Sequence, residues 1–414
     1  MDLSSKVSNL IHVGVAVSEE NRIDRTRSDG RSILLPIDAM TIIHEYRKLN
    51  SLDHVIIEFQ PETNFSELDH KNYWFRIPNW QSLSNPSHKD RFKEVFDNLQ
   101  KKNYPDNLVG VHQTIKGFDV LHPMQKDLTV HMAKKGLDFA NSIAADYFVV
   151  HLCQVDHWDW DRKEQVKNAL RAYKDISDHY VHNDYKFVVC IENLEYPKFP
   201  ATAHEIKDIY YECKNIAPSV PLKIALDLSH LSRSRSLILE NSHKKDIPDY
   251  DCSAIKAVFT DYLEYTLNHV LSAKGGMNGD EIFLYHIGGC WKERTHEVPG
   301  LSPEVEFKEL GLDKNLEMMH DYGLLEHVLR NLMKLDAPAH EYEIMDEMNV
   351  KTVFDLILKH TIINNRPLNM ILEIYNRPYE EVLVAGKIIR EDLINKTVKI
   401  YNKYKMFIEN IDKV

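Results

Sequence analysis

Several short apolar runs in this chain end directly in a histidine or a carboxylate, and these terminal side chains could bind metal ions. In the clearest case, residues 187–191 (Phe-Val-Val-Cys-Ile) run straight into Glu192. Imidazole and carboxylate groups are the ligands that zinc, manganese and iron prefer. Carboxylates that converge on one place repel one another unless cations neutralise them. The candidate metal ligands are His112, His151, Glu192, Asp227, His230, His286, His296 and Glu373.

The elements that must position these side chains are apolar, mostly β-branched runs, which are typical of buried parallel strands. They cover residues 10–17, 54–57, 108–111, 147–150, 187–191, 222–226, 282–285 and 370–372. Most of the segments between them are long and amphipathic enough to form a crossover helix. Eight such units predict a (β/α)8 TIM barrel in the α/β class, whose active site lies at the C-terminal ends of the strands. The terminal side chains, including Glu58 after the second run, would then point into one mouth.

The connections between the runs predict helices and two larger additions. The segment 60–107 is a candidate substrate lid because it is long and follows a strand. Residues 301–367 are too long for one crossover helix and predict a small helical insertion. We therefore divide the chain into strands one to seven (1–300), the insertion (301–367), and strand eight with the C-terminal helices (368–414). Helices are expected at 37–49, 90–101, 125–143, 161–180, 203–215 and 252–273.

Composition indicates a globular enzyme. A hydrophobic content of 43% and a charged content of 28% exclude disordered and fibrous classes. The five cysteines form no CxxC pair, which is typical of reduced thiols in a reducing compartment. No apolar run approaches the roughly 20 residues that span a bilayer, and the N-terminus is not typical of a signal peptide. We expect a cytoplasmic protein without a membrane partner.

The net charge of −12 argues against non-specific nucleic-acid binding, but basic residues follow several of the predicted strands. An acidic body with a basic mouth predicts an anionic, phosphorylated substrate. The alternative is that these side chains are solvated or paired with neighbouring acids. The candidate substrate-binding residues are Arg233, Arg294 and Arg377.

The strand-end pattern resembles that of the xylose isomerase-like TIM barrels and, within them, endonuclease IV, the zinc-dependent apurinic/apyrimidinic endonuclease of AP endonuclease family 2. The resemblance covers about residues 8–300 and 368–385. Its most specific pieces are Ile191-Glu192-Asn193, Asp227-x-x-His230, His286, His296-x-x-Pro-Gly and Ile371-Leu372-Glu373, and Val111-His112, Leu121-His122-Pro123 and Val150-His151 also fit.

Carried over position by position, the resemblance implies two or three divalent ions, most simply zinc, with manganese or iron as alternatives. It implies one ion at His112, His151 and Glu192. It implies a second at Glu192, Asp227, His286 and Glu373, so that Glu192 bridges, and a third at His230 and His296. Glu192 and Glu373 are also the candidate catalytic residues.

The chain departs from endonuclease IV at positions linked to DNA engagement and to the third ion. Arg294 stands where that family has an aspartate two residues before the histidine that matches His296. Ile115 replaces the family's tyrosine, and His151 is not followed by Pro-Gly. These departures weaken DNA as the substrate and leave the first two ion sites intact.

Three functions remain open. In the first, a metal-activated water hydrolyses a phosphoester bond, while the cations stabilise the developing charge. In the second, one cation holds a sugar or sugar phosphate while Glu192 and Glu373 move a proton between adjacent carbons. The histidines outside the second ion site favour the hydrolase, because a sugar isomerase of this superfamily generally needs only that site. A binding protein without chemistry is the third possibility, although buried unpaired carboxylates are costly without a function.

Overall fold

The computed structural model of the protein describes residues 7–17, 56–59, 64–67, 76–79, 108–113, 126–152, 161–241, 252–287, 350–363, 366–373, 386–387, 389–400 and 402. The predicted helices at 37–49 and 90–101 and most of the candidate lid lie outside these residues, as do 301–349 of the insertion. So do three candidate site residues, Arg294, His296 and Arg377. The proposed division of the chain stays a prediction.

Ten strands are described. In chain order they are β1 (Ile11–Val17), β2 (Ile56–Phe59), β3 (Asn64–Glu67), β4 (Arg76–Asn79), β5 (Leu108–His112), β6 (Tyr147–Val150), β7 (Val188–Glu192), β8 (Leu222–Asp227), β9 (Ile282–Ile287) and β10 (Leu368–Leu372). All but β3 and β4 form a closed parallel barrel in the order β1-β10-β9-β8-β7-β6-β5-β2, and β2 pairs again with β1. The predicted (β/α)8 barrel is therefore confirmed, with each predicted run forming one strand.

The interior of the barrel is filled mainly by aliphatic side chains, with one tyrosine, from alternate strand positions. This inner cluster consists of Ala16, Ile56, Tyr147, Val149, Cys190, Ala225, Leu284 and Ile371. A Cβ at Gly110 would lie 2.0 Å from Cζ of Tyr147, so a glycine is required opposite that ring. Because side chains alternate with a period of two, the residues two positions further along these strands face the same interior. Those residues include Glu58, His151, Glu192, Asp227, His286 and Glu373.

Helices surround the barrel and bury its outer apolar face. Their bounds are α1 (Lys126–Ser142), α2 (Arg162–His182), α3 (Ala203–Ile216), α4 (Leu228–Asn241), α5 (Cys252–Ile255), α6 (Phe259–Tyr265) and α7 (Val350–Ile363), and 389–400 is also helical. α1, α2 and α3 confirm three predicted helices. Asp161 caps α2, and Thr202 with Glu205 forms a capping box on α3, contacts worth about 1 kcal/mol each. Within the described ranges, no helix is long and apolar enough to cross a membrane.

The prediction of one helix over 252–273 is wrong. The segment contains α5 and α6, then a π-helical turn at Thr266–Val270 and a 3-10 turn at Ala273–Gly275. Thr266 Oγ1 donates to the Tyr262 carbonyl at 2.8 Å, and the Leu271 N–H donates to the Thr266 carbonyl at 2.8 Å. The Leu271 bond reaches back five residues instead of four, which is the bond of a π turn.

Two elements were not predicted. The hairpin of β3 and β4 lies within the segment expected to form the lid, where it pairs antiparallel. Helix α4 starts at the residue after the last residue of β8, and its sequence is rich in serine, a weak helix former. The Asp227 carboxylate accepts the His230 N–H at 2.6 Å and so caps the helix. Arg233 therefore lies on this helix.

Candidate metal centre

Six predicted ligands come together at the C-terminal end of the barrel. His112, Glu192 and Asp227 are the last residues of β5, β7 and β8, while His286 lies one residue before the end of β9. His151 and Glu373 immediately follow β6 and β10. Because all these strands are parallel, the six side chains share one mouth. Each is buried, with exposed fractions between 0% for Glu192 and 7% for Glu373.

Glu192 lies at the centre of this group. Its Oε2 is 2.8 Å from Nε2 of His112 and in close contact with Nε2 of His151. Its Oε1 is 2.8 Å from Nδ1 of His286. Three imidazoles thus face one carboxylate, with two on one oxygen and one on the other. This is the arrangement expected of a carboxylate that bridges two cation positions.

Two sets that consist only of predicted ligands are each compact enough to hold a cation. The first set is His112, His151 and Glu192, and the second set is Glu192, Asp227, His286 and Glu373. Within each set the ligand atoms lie within 4.8 Å of one another. These are the two sets that the resemblance implies, and nitrogen and carboxylate oxygen donors fit zinc, manganese or iron. Their role as metal ligands stays a prediction.

The charges in the centre are strongly coupled. Burial acts to raise the pKa of Glu192, but the three facing histidines hold it well below its usual range. Burial raises the pKa of Asp227 well above its usual range, helped by the charges of Glu373 and Glu192. Burial also raises the pKa of Glu373. Three carboxylates this close cannot all ionise easily, so cations fit the site electrostatically.

The pKa values of the three histidines shift in different directions, although Glu192 acts to raise each of them. Burial acts to lower the pKa of His112, but the charge and hydrogen bond of Glu192 raise it to about 9. Burial lowers the pKa of His151 to about 3, although the charge of Glu192 acts to raise it. Burial opposes a charge on His286, but Glu58, Glu373 and Glu192 raise its pKa well above its usual range. A positive charge is therefore favoured on His112 and His286 rather than on His151.

Backbone carbonyls and an amide orient the ligands. His112 Nδ1 donates to the Gln113 carbonyl at 2.7 Å, which directs Nε2 towards Glu192. Asn193 was not among the candidate site residues, but its side chain holds the backbone of Asp227. Its Nδ2 donates to the Asp227 carbonyl at 2.8 Å, and its Oδ1 accepts the Asp227 N–H at 2.7 Å. This reciprocal pair extends the contact between β7 and β8 and fixes Asp227 beside Glu192.

His230 lies near Glu192, but His296, its predicted partner in the third ion site, is not among the described residues. Its Nδ1 is 2.9 Å from the Asn193 carbonyl, to which it can donate, and 3.8 Å from Glu192 Oε1. A proton on Nδ1 would leave the lone pair of the other ring nitrogen for a ligand. His296 lies outside the described residues, so the third ion stays a prediction.

Arg233, a predicted substrate-binding residue, lies beside Glu195, which also lies near Lys198. Its Nε is 3.4 Å from Oε2 of Glu195, and Lys198 Nζ is 4.0 Å from the same oxygen. This Glu195 contact is the acid pairing that the alternative interpretation of the basic residues predicts. Substrate binding by Arg233 stays a prediction.

The structure adds Glu58, which was not among the predicted ligands. Glu58 is fully buried, and its Oε2 is 3.1 Å from Nε2 of His286. It also forms a compact group of possible ligands with His112, His286 and Glu373. The sequence did carry a signal, since Glu58 follows the second apolar run in the same way as the chosen ligands follow theirs.

Comparison with known proteins gives distant likeness only. No family model matches the chain, and no curated protein matches it. A solved D-tagatose 3-epimerase-like protein matches at 12% identity and a TM-score of 0.44, over 94% of this chain and 99% of that one.

Two further matching structures are equally distant. An endonuclease IV from Thermus thermophilus has 10% identity and a TM-score of 0.43, over 93% of this chain and 99% of that one. A D-psicose 3-epimerase from Clostridium cellulolyticum has 10% identity and a TM-score of 0.43, over 95% and 98%. Likeness at this distance says nothing about substrate or reaction, so the function must be argued from the site.

Proposed function

We propose that this protein is a divalent-metal-dependent enzyme that hydrolyses phosphoester bonds. The supporting observation is that His112 and His151 face one oxygen of Glu192 while His286 faces the other. A shared carboxylate between separate groups of ligands provides two neighbouring cation positions. Cations held there would supply a water of lowered pKa and stabilisation of charge on a phosphoryl group.

The protein side chains divide the remaining work. Glu192, whose pKa is held low, stays ionised and keeps the two sets together. Glu373 is the most exposed of the six central ligands, and burial raises its pKa. As a member of the second set, Glu373 would be ionised when a cation is bound. Its greater exposure makes it the ligand that we propose to contact the substrate.

The proposed substrate is anionic. Arg233 lies on α4, which begins beside the centre, and Lys198 adds a second cation around Glu195. Arg294 and Arg377 are proposed to complete the recognition of a phosphate. The substrate class then includes smaller phosphate esters as well as DNA, and the departures at Arg294 and Ile115 favour the smaller esters.

The second candidate is a sugar or sugar-phosphate isomerase. It is favoured by the second set, which is complete without His112 and His151. In this function Glu192 and Glu373, which both belong to that set, would exchange a proton with adjacent carbons of the sugar. The two candidates therefore differ in whether the first set is needed.

Replacing His151 with asparagine separates the two candidates. His151→Asn removes an imidazole from the first set and leaves every member of the second set in place. The zinc-loaded protein would be assayed on a panel of phosphate esters, abasic-site DNA, sugars and sugar phosphates. We expect a phosphoesterase activity in the wild type that falls by about a hundredfold or more in the variant.

The matched control is His179→Asn, since His179 lies near the end of α2 in an ion pair with Asp138. It should retain wild-type activity. An isomerase activity that survives His151→Asn unchanged, with no phosphoesterase activity in the wild type, would contradict the proposal and support the second candidate.

A further inference from the structure

Glu58 occupies an unusual position for a carboxylate. It faces the barrel interior from β2, with Ala16 of β1 and Gly110 of β5 as its register neighbours. Its side chain is completely buried. An ionised carboxylate in such a place is costly unless a donor or a cation compensates it. Its position on an otherwise apolar strand therefore requires a partner.

In the described part of the chain, His286 is a group that can compensate the charge of Glu58. The Oε2 atom of Glu58 lies 3.1 Å from Nε2 of His286. The Oε1 atom has no hydrogen-bond partner among the described residues. The Tyr147 hydroxyl lies close to Glu58, whose charge adds to burial in raising the pKa of that hydroxyl. A carboxylate can only accept, so this contact is a hydrogen bond only when the proton of His286 sits on Nε2.

The other nitrogen of His286 faces the second set. Nδ1 lies 2.8 Å from Oε1 of Glu192 and 3.6 Å from Oε1 of Glu373. Without a cation, the contact with Glu192 also requires a proton on Nδ1, so both ring nitrogens of His286 then carry protons. A cation in the second set would replace the proton on Nδ1, because the unprotonated nitrogen is the one that binds a metal. If Glu58 holds the proton on Nε2, the lone pair of Nδ1 points to the place where Glu192 and Glu373 meet.

We propose that Glu58 is a positioning residue that accepts the Nε2–H of His286 and so presents Nδ1 to the cation of the second set. A carboxylate behind a metal-binding histidine fixes the tautomer and the ring orientation and makes the imidazole a stronger ligand. This inference rests on the metal binding in the proposed function, but not on the reaction or the substrate.

A direct role for Glu58 as a ligand is the competing arrangement, since it forms a compact group with His112, His286 and Glu373. A cation between Glu58 and His286 would take Nε2 and leave the proton on Nδ1, facing Glu192. The two arrangements therefore place the His286 proton on opposite ring nitrogens.

Nitrogen-15 NMR of the wild-type protein distinguishes them without a substitution at Glu58. Protein labelled at the histidine ring nitrogens would be loaded with zinc, and the His286 signals assigned by their loss in His286→Gln. We expect a protonated Nε2 and a zinc-shifted Nδ1 for His286. A protonated Nδ1 would overturn the proposal, even if Glu58 variants fail to fold.

The variant Glu58→Gln tests the consequence for binding. The amide is a weaker acceptor and can present its NH2 group to Nε2, which favours the other tautomer. Zinc affinity at the second set should fall by about 10- to 100-fold, as measured by competition with a chelating dye. Glu281→Gln is the control, because Glu281 is buried to a similar extent but accepts the N–H groups of Asn278 and Gly279 before β9.

The outcomes separate this inference from the proposed function. Unchanged zinc affinity in Glu58→Gln, with zinc bound normally by the wild type, would overturn the role of Glu58 alone. A wild-type protein that binds no divalent ion would overturn the proposed function together with it.

Discussion

At the scale of single residues, Glu192 organises the site because its two oxygens face different imidazoles. The sequence identified it correctly as a candidate, since an apolar run that ends in a carboxylate is a strong local signal. It could not assign Glu58, which has the same signal, because its role depends on a contact with His286, 228 residues away. The structural role of Asn193 was equally hidden, since its two bonds to Asp227 exist only once β7 and β8 pair.

The protonation of His112 predicts how ion binding depends on pH. Its pKa is raised to about 9, so at neutral pH both ring nitrogens carry protons, and the one on Nε2 points at Glu192. A cation that takes Nε2 must displace that proton. Zinc binding should therefore release protons at neutral pH, and the apparent affinity should rise with pH up to about 9.

Calorimetric titration in buffers of different ionisation enthalpy measures the protons released. The variant His112→Gln should release about one proton fewer than the wild type. An affinity that stays constant between about pH 6 and pH 8, with no buffer dependence, would show that His112 is already neutral or is not a ligand.

At the scale of elements, the regular alternation of strands and helices was predictable and the irregular pieces were not. Each predicted strand formed, because buried β-branched runs have few alternatives. Helix α4 was missed because its serines are weak helix formers and its cap, Asp227, also ends a strand. The change to a π turn at Thr266 lies in one backbone bond, from Leu271 to Thr266, which periodicity does not reveal.

Helix α7 carries a buried histidine that should make stability depend on pH. His360 receives the Tyr285 hydroxyl on Nδ1 at 3.1 Å and faces the Leu271 carbonyl from Nε2 at 3.3 Å. Burial lowers its pKa from 6.5 to about 4, helped by the charge of Arg366. Between those values the unfolded chain binds a proton that the folded chain does not, so the contribution of His360 to stability falls as pH falls from 6.5 towards 4.

The variant His360→Leu should remove this dependence. Between about pH 7 and about pH 5, we expect the free energy of unfolding of the wild type to fall by about 2 kcal/mol more than that of the variant. Denaturant unfolding of chelator-treated protein at both pH values measures it, because the metal centre then contributes equally to both proteins. If the difference between the two free energies is the same at both pH values, His360 binds a proton as readily in the folded state as in the unfolded state.

At the scale of the whole molecule, closure of the barrel converts a scattered pattern into one site. The six central ligands extend from His112 to Glu373 in sequence, yet their ligand atoms meet in compact groups. The sequence predicted this meeting because parallel strands in a closed barrel share one end. What it could not predict is which oxygen or nitrogen faces which neighbour, since that depends on strand register and on side-chain rotation.

The central claim is that Glu192 bridges two cation positions, and the ion content of the protein tests it most directly. Wild-type protein and Glu192→Gln would each be saturated with zinc, dialysed and measured by elemental analysis. We predict at least two zinc ions per wild-type chain and less than one in the variant, because both sets lose their shared ligand. A Glu192→Gln protein that keeps the same number of zinc ions as the wild type would contradict the account.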